Sequence, residues 1–152
     1  MHFERITEEN IHMAHQLYNA NPAYNLLENG QATRTLEKVR GEFLDEKATE
    51  SYIAYEAEDP VGLVDFLPRN PKDGYPWIGL MMVDQNHHGK GIGSAMYQSF
   101  ESLLKERGFT SVRLAVLVNN ERGHAFWERM GFTYYGMSQV EENEVTCLEK
   151  EL

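Results

Sequence analysis

His88-Gly89-Lys90-Gly91-Ile92-Gly93 decides how this chain is read. Three glycines in five residues mark a backbone that turns tightly or lets another molecule approach closely. Ahead of the glycines, Trp77-Ile78-Gly79-Leu80-Met81-Met82-Val83 is almost wholly apolar, the pattern of a buried strand. Behind them, Ile92, Met96, Phe100 and Leu103-Leu104 recur at helical spacing. A strand, a glycine loop and a helix N-terminus together make an anion site, because unpaired N–H groups and the helix dipole point at its contents. The expected ligand is a phosphate or pyrophosphate.

Two common phosphate loops fit poorly. The chain has no Gly-x-x-x-x-Gly-Lys-Ser/Thr run. The dinucleotide fingerprint Gly-x-Gly-x-x-Gly fails at Ser94, and Arg113 stands where an acid for the ribose belongs. The spacing instead resembles the acetyl-coenzyme A loop of the GNAT superfamily of N-acetyltransferases, Gln/Arg-x-x-Gly-x-Gly/Ala, with His88 in the first place. Downstream, Asn120-Glu121-Arg122-Gly123-His124-Ala125-Phe126-Trp127-Glu128-Arg129-Met130-Gly131-Phe132 is similar to that family's second signature. The two signatures and their flanks cover residues 76–136.

The rest of the chain sets bounds. A length of 152 residues suits one domain, 1–152, with its own core. No apolar run reaches the roughly 20 residues of a membrane span, and the first residues lack a signal-peptide shape. The single cysteine, Cys147, fits a reducing compartment and a cytoplasmic location, and reads as a small strand residue. A net charge of −10 counts against nucleic acid as a partner and favours a cationic substrate, or serves solubility alone.

Hydrophobic periodicity predicts strands at 3–6, 51–56, 61–66, 77–83, near 112–118, at 132–137 and at 144–148. It predicts helices after Thr7, ending at Asn21-Pro22, then at 33–43, 91–107 and 121–130. Turns are expected at Glu58-Asp59-Pro60 and at the acidic run Glu141-Glu142-Asn143-Glu144, with a long loop from Leu67 to Pro76. The resemblance implies an α/β fold: a mixed sheet of about seven strands, helices on both faces, and a parallel fourth and fifth strand that splay apart. Such a pair leaves backbone groups that the amides of a pantetheine arm can satisfy. By position these are Met81, Met82 and Val83.

The resemblance further implies acetyl-CoA as acyl donor, no metal, and direct attack by a primary amine on the thioester. Gly89, Gly91 and Gly93 would admit the pyrophosphate, flanked by Ile92 and by Ser94 in the first helical turn. Lys90 adds a cation there or stands free in an exposed loop. His88 can donate one hydrogen bond when neutral or pair with phosphate when charged. Asn120 matches the family's asparagine toward the coenzyme arm and also suits a helix N-cap; Phe126 belongs to the core and touches the coenzyme. Trp127 stands where many relatives carry a tyrosine that protonates the departing thiolate, and an indole has no proton to give. Three accounts are open: departure as thiolate, a substitute hydroxyl from Tyr134 or Tyr135, or lost catalysis. The base is unassigned. Ala115 occupies a position where some relatives have Glu, leaving Asp65, Glu56 and Asp84 as candidates, each with an ordinary structural reading. Tyr24, Tyr75 and Trp77 are expected around a cationic amine acceptor. The rival readings are a protein amine as acceptor, a non-catalytic acyl-CoA-binding module and a dinucleotide enzyme. A homodimer through the last strands is compatible with the pattern.

Overall fold

A computed structural model describes residues 1–45 and 48–152. Seven strands form one sheet: β1 (His2–Arg5), β2 (Glu50–Glu56), β3 (Asp59–Leu67), β4 (Trp77–Val83), β5 (Ser111–Leu117), β6 (Thr133–Val140) and β7 (Asn143–Glu151). Their order is β1-β2-β3-β4-β5-β7-β6. All neighbours are antiparallel except β4 and β5, which run parallel. Helices α1 (Ile11–Asn19), α2 (Pro22–Asn29) and α3 (Leu36–Arg40), the last continued by a π-helical turn (Gly41–Asp45), precede β2; α4 (Ile92–Glu106) and α5 (Glu121–Arg129) flank β5.

Two cores lie on opposite faces of the sheet. Met96, Tyr97, Phe100 and Leu104 of α4 and Trp127 of α5 pack on Val64, Phe66, Ile78, Val112, Leu114 and Val116. Ile11, Ala14, Leu17 and Tyr18 of α1 and Val39 of α3 pack on Ile53, Leu63, Leu80 and Met82. The face of β4 changes partway along. Phe66 is opposite Ile78 and Asp65 is opposite Leu80, so Gly79 is an extra residue in a β-bulge. Without that bulge, Ile78, Leu80 and Met82 would share one face.

Three local expectations are corrected. Pro22 does not merely end the first helix; it opens α2, a helix the sequence reading lacked, because proline's fixed φ suits the first helical position, where no N–H partner is needed. The second predicted helix begins at Leu36 rather than 33, capped by Thr35, whose hydroxyl accepts from the Lys38 N–H at 3.2 Å. The turn between β2 and β3 is Ala57-Glu58, with Ala57 at φ +55, and Asp59 and Pro60 already belong to the strand. Glu141 and Glu142 do form the exposed tip of the last hairpin.

Gly62 tests how tightly β3 and β4 are held. A Cβ there would lie 2.3 Å from the Met82 carbonyl oxygen and 2.8 Å from Met96 Sδ. A backbone atom cannot rotate away, so Gly62→Ala is expected to destabilise by about 2–3 kcal/mol. Urea unfolding measures this, and a wild-type midpoint in the variant contradicts the packing described.

Candidate functional site

Strands β4 and β5 are paired only at Trp77 with Arg113 and Ile78 with Leu114. Beyond Ile78 they part. Antiparallel pairing alternates the direction of the backbone groups. The Asp84 N–H donates to the Val61 carbonyl at 2.7 Å, which fixes the phase. Met82 therefore bonds to β3, whereas Met81 and Val83 turn their N–H and C=O groups into the gap. This corrects the expectation for Met82: its backbone belongs to the β3 ladder and its side chain to the α1 core. Met81 and Val83 line the cleft that fills the gap.

The glycine loop closes one end of the cleft. Gly89 and Gly91 have φ of +78° and +75°, and nothing lies within 4 Å of where their Cβ atoms would be. Gly91 caps α4 without any side-chain cap, so the first N–H groups of the helix are available to a ligand. Gly93 is tight for another reason: its Cβ would meet Phe126 at 3.3 Å. His88, Gly89, Gly91, Ile92, Gly93, Ser94, Asn120 and Phe126 all line the cleft; Lys90 does not. Arg122 and Arg129, which the motif reading passed over, supply cations on this side.

His88 sits differently from the expectation of a phosphate partner. Its Nε2 lies 2.9 Å from the Val83 carbonyl oxygen. A carbonyl only accepts, so Nε2 carries a proton here. The imidazole thus occupies one of the backbone groups that the parting of the strands exposes. Asn120 uses its side-chain oxygen to cap α5, accepting from the Gly123 N–H at 2.9 Å. Glycine at 123 makes room for that cap, since a Cβ would come within 2.6 Å of Asn120 Nδ2.

Trp127 both lines the cleft and anchors the α5 core. Its ring meets Phe126, Phe132 and Tyr97 edge-on at 4.9, 5.2 and 5.4 Å. Tyr134 is corrected as a candidate proton donor. It pairs across from Leu148, whose side chain belongs to the α4–α5 core, is 62 % exposed, and does not line the cleft. The register shift between Tyr134 and Gly136 turns Tyr135 to the other face, where it does line the cleft. Burial pushes its hydroxyl up to about 12.

The other end of the cleft is acidic and aromatic. Tyr24, Trp77, Glu28, Glu42, Asp73 and Glu141 line it together with Arg34, Lys72 and Arg113. Tyr75 does not; its ring stacks on the Arg113 guanidinium at 3.6 Å, with Tyr135 at 4.3 Å from the same group. Asp73 is occupied, accepting from Trp77 Nε1 at 2.9 Å and pairing with Arg113 at 3.3 Å. None of the expected base candidates, Asp65, Glu56 and Asp84, lines the cleft. Asp65 accepts from the Ser51 hydroxyl at 2.6 Å, Glu56 ends a hairpin strand, and Asp84 caps the turn before His88. Glu42 and Glu28 escape a sequence reading because neither belongs to a signature; only the fold brings them to the cleft. Among the described residues no group of three or more His, Cys, Asp or Glu is arranged to hold a metal, and no helix is long and apolar enough to cross a membrane.

This geometry has counterparts. The family model described as "Acetyltransferase (GNAT) family" matches residues 12–132. N-alpha-acetyltransferase 30 of Schizosaccharomyces pombe is 30 % identical over 59 residues, which is 39 % of this chain and 39 % of that protein. An acetyltransferase crystal structure from Thermus thermophilus superposes with a TM-score of 0.83 at 20 % identity, covering 100 % of this chain and 98 % of the other. Aminoglycoside acetyltransferase AAC(6')-Ib in complex with coenzyme A superposes with a TM-score of 0.78 at 18 % identity, covering 98 % and 93 %. With the family model spanning most of its length and a parted β4–β5 pair beside the glycine loop, the chain belongs to the acetyltransferase (GNAT) family.

Proposed function

We propose that this chain transfers an acetyl group from acetyl-CoA to the primary amine of a small cationic acceptor, with both substrates bound together. The observation that carries the reading is the two-pair contact of β4 and β5: the cleft runs from the glycine loop, through the gap, to the acidic end. Its volume, about 1600 Å³, is larger than a single small ligand needs.

The residues fit the donor. The open space over Gly89 and Gly91 and the uncapped α4 terminus suit a pyrophosphate. The N–H and C=O of Met81 and the N–H of Val83 suit the amides of a pantetheine arm, the Val83 carbonyl being taken by His88. A backbone N–H directed into the gap suits the thioester oxygen as charge develops on it. The opposite end suits a cation: Tyr24 and Trp77 offer aromatic faces, and four acids, Glu28, Glu42, Asp73 and Glu141, line it against three cations, Arg34, Lys72 and Arg113. The named relatives include one named an aminoglycoside acetyltransferase and one named an N-alpha-acetyltransferase. The acidic, aromatic lining favours the small cationic class. The coenzyme's sulfur leaves as thiolate, because a thiol has a pKa near the roughly 8.5 of cysteine and Trp127 has no proton to lend.

Release of free thiol from acetyl-CoA, measured with polyamines, aminoglycosides and α-amino peptides, tests this. Wild type is expected to turn over the polycations fastest, and Trp127→Tyr to stay within about threefold of it, as a thiolate leaving group needs no donor. Binding of acetyl-CoA with no thiol release from any amine would leave a binding module instead. The glycine loop has its own test. Gly91→Val forces a β-branched residue to positive φ, costing about 1–2 kcal/mol of stability, and fills the space above the loop. Calorimetry is expected to show acetyl-CoA binding weakened by tenfold or more, equivalent to about 1.4 kcal/mol. Unchanged affinity in the folded variant removes the loop from the donor site.

A further inference from the structure

We propose that Glu42 is the general base of this cleft, taking the proton from the acceptor's ammonium group, and that Arg34 and Glu28 hold it in position. The proposal rests on the acetyl-transfer reading above.

Glu42 is brought to the cleft by a chain of polar contacts. Asn19 on α1 accepts from the Arg34 N–H at 2.8 Å and donates to the Arg34 carbonyl at 3.0 Å, and His15 Nε2 is 2.8 Å from the same carbonyl. Asn25, fully buried, donates to the carbonyls of Tyr18 and Ala32. The loop before α3 is thereby fastened to α1 and α2. Its Arg34 side chain reaches Glu42 Oε2 at 2.7 Å and Glu28 Oε1 at 3.2 Å. One guanidinium faces two carboxylates, so this corner keeps a net negative charge for a cation to neutralise. Glu42 Oε1 has no hydrogen-bond partner among the described residues and remains for a substrate. Behind the pair, the fully buried Tyr18 hydroxyl has no partner either and feels the charges of Glu42 and Glu28.

Elimination supports the assignment. Of the acids lining the cleft, Asp73 is taken by Trp77 and Arg113 and Glu141 stands exposed at the hairpin tip, which narrows the choice to the pair that shares Arg34, Glu28 and Glu42. Glu42 lines the same cleft as Met81 and Val83 of the parting strands. Its charge interacts with that of Asp65, whose Oδ2 is 3.4 Å from where a Gly79 Cβ would be, at the β4 bulge. The groups facing Glu42 are Tyr18 of α1, Glu28 of α2, Arg34, Asp65 of β3 and Glu141 of the hairpin, with Tyr24 beside Glu28 and His15 behind Arg34. Burial raises the Glu42 carboxyl to about 7, Arg34 opposing and the acids adding. A base poised there is ionised just above neutrality and still basic enough to accept a proton.

The step balances. The ammonium gives one proton to the Glu42 carboxylate, and the freed lone pair forms the new C–N bond at the thioester carbon. The C–S bond then breaks, its electron pair leaving on sulfur. The nitrogen's second proton passes through water to the thiolate, giving amide and free thiol, and Glu42 returns its proton to solvent.

The experiment is the pH dependence of kcat/KM, from pH 5 to 9, for the best amine of the panel. Wild type is expected to lose activity toward acid with an inflection near 7. Glu42→Gln is expected to lose about 100-fold in kcat and to lack that inflection, with acetyl-CoA affinity by calorimetry unchanged. Glu42→Asp keeps an ionisable group and is expected to retain the inflection at a reduced rate. Glu28→Gln is expected to raise the amine KM while leaving the inflection. An active wild type with Glu42→Gln equal to it, or with the inflection intact in that variant, overturns the assignment alone. A wild type that binds acetyl-CoA and acetylates no amine overturns the acetyl-transfer reading and the base together.

Discussion

Everything at the site depends on backbone groups of β4 that have no strand beside them. A buried N–H or C=O without a partner costs free energy of the order of 1–3 kcal/mol, so a parted pair of strands survives only where something else satisfies them. Here the paired end is locked by Arg113, held between the Tyr75 and Tyr135 rings and bonded to Asp73 and Glu149. The open end is kept apart by α4 and α5 packing on the strands from one face. His88 takes up the Val83 carbonyl. The same feature that is a liability to the sheet is what makes a slot for an extended, amide-bearing molecule.

The proposed donor half of the site was legible because it is local in sequence. Gly89, Gly91 and Gly93 announce themselves by residue type, and Asn120, Phe126 and Trp127 recur at fixed spacing on one helix. Strand alternation at Val112, Leu114 and Val116 predicted a buried face that the structure shows. The parallel pairing of β4 and β5 followed from the family resemblance, not from the periodicity. Side-chain direction was less accessible. Tyr134 and Tyr135 are adjacent, and only the register shift beside Gly136 decides which faces the cleft. Likewise Met82 could not be separated from Met81 and Val83 without knowing which backbone groups β3 had already taken.

The acceptor half was illegible for a different reason. Tyr24, Glu28, Arg34 and Glu42 lie on short, separate pieces of chain with no shared spacing, and in the sequence they look like ordinary surface residues. Proline at the start of α2 read as a stop, which hid the helix that carries Tyr24 and Glu28. What assembles them is a set of side-chain-to-backbone bonds from Asn19 and Asn25, residues whose type suggests turns rather than scaffolding. The proposed donor site is thus written as a motif and the proposed acceptor site as a contact network, which accords with one family hosting relatives named for different acceptors.

The bulge at Gly79 fixes a parity. Leu80 and Met82 reach the α1 core, and Ile78 the α4 core, because one extra residue separates them. Removing Gly79 would close the bulge and leave plain alternation, with Ile78 still facing the α4 core and Leu80 and Met82 the α1 core; adding a residue elsewhere in β4 would instead push one flank to the wrong side. Individual side chains in β4 can be exchanged for others of similar volume, but an inserted residue would need a second bulge to keep both cores filled. The loop of residues 68–76, exposed along most of its course, is free to lengthen, since extra loop residues cost little in closure entropy. Over evolutionary time insertions should collect in that loop and stop abruptly at Trp77.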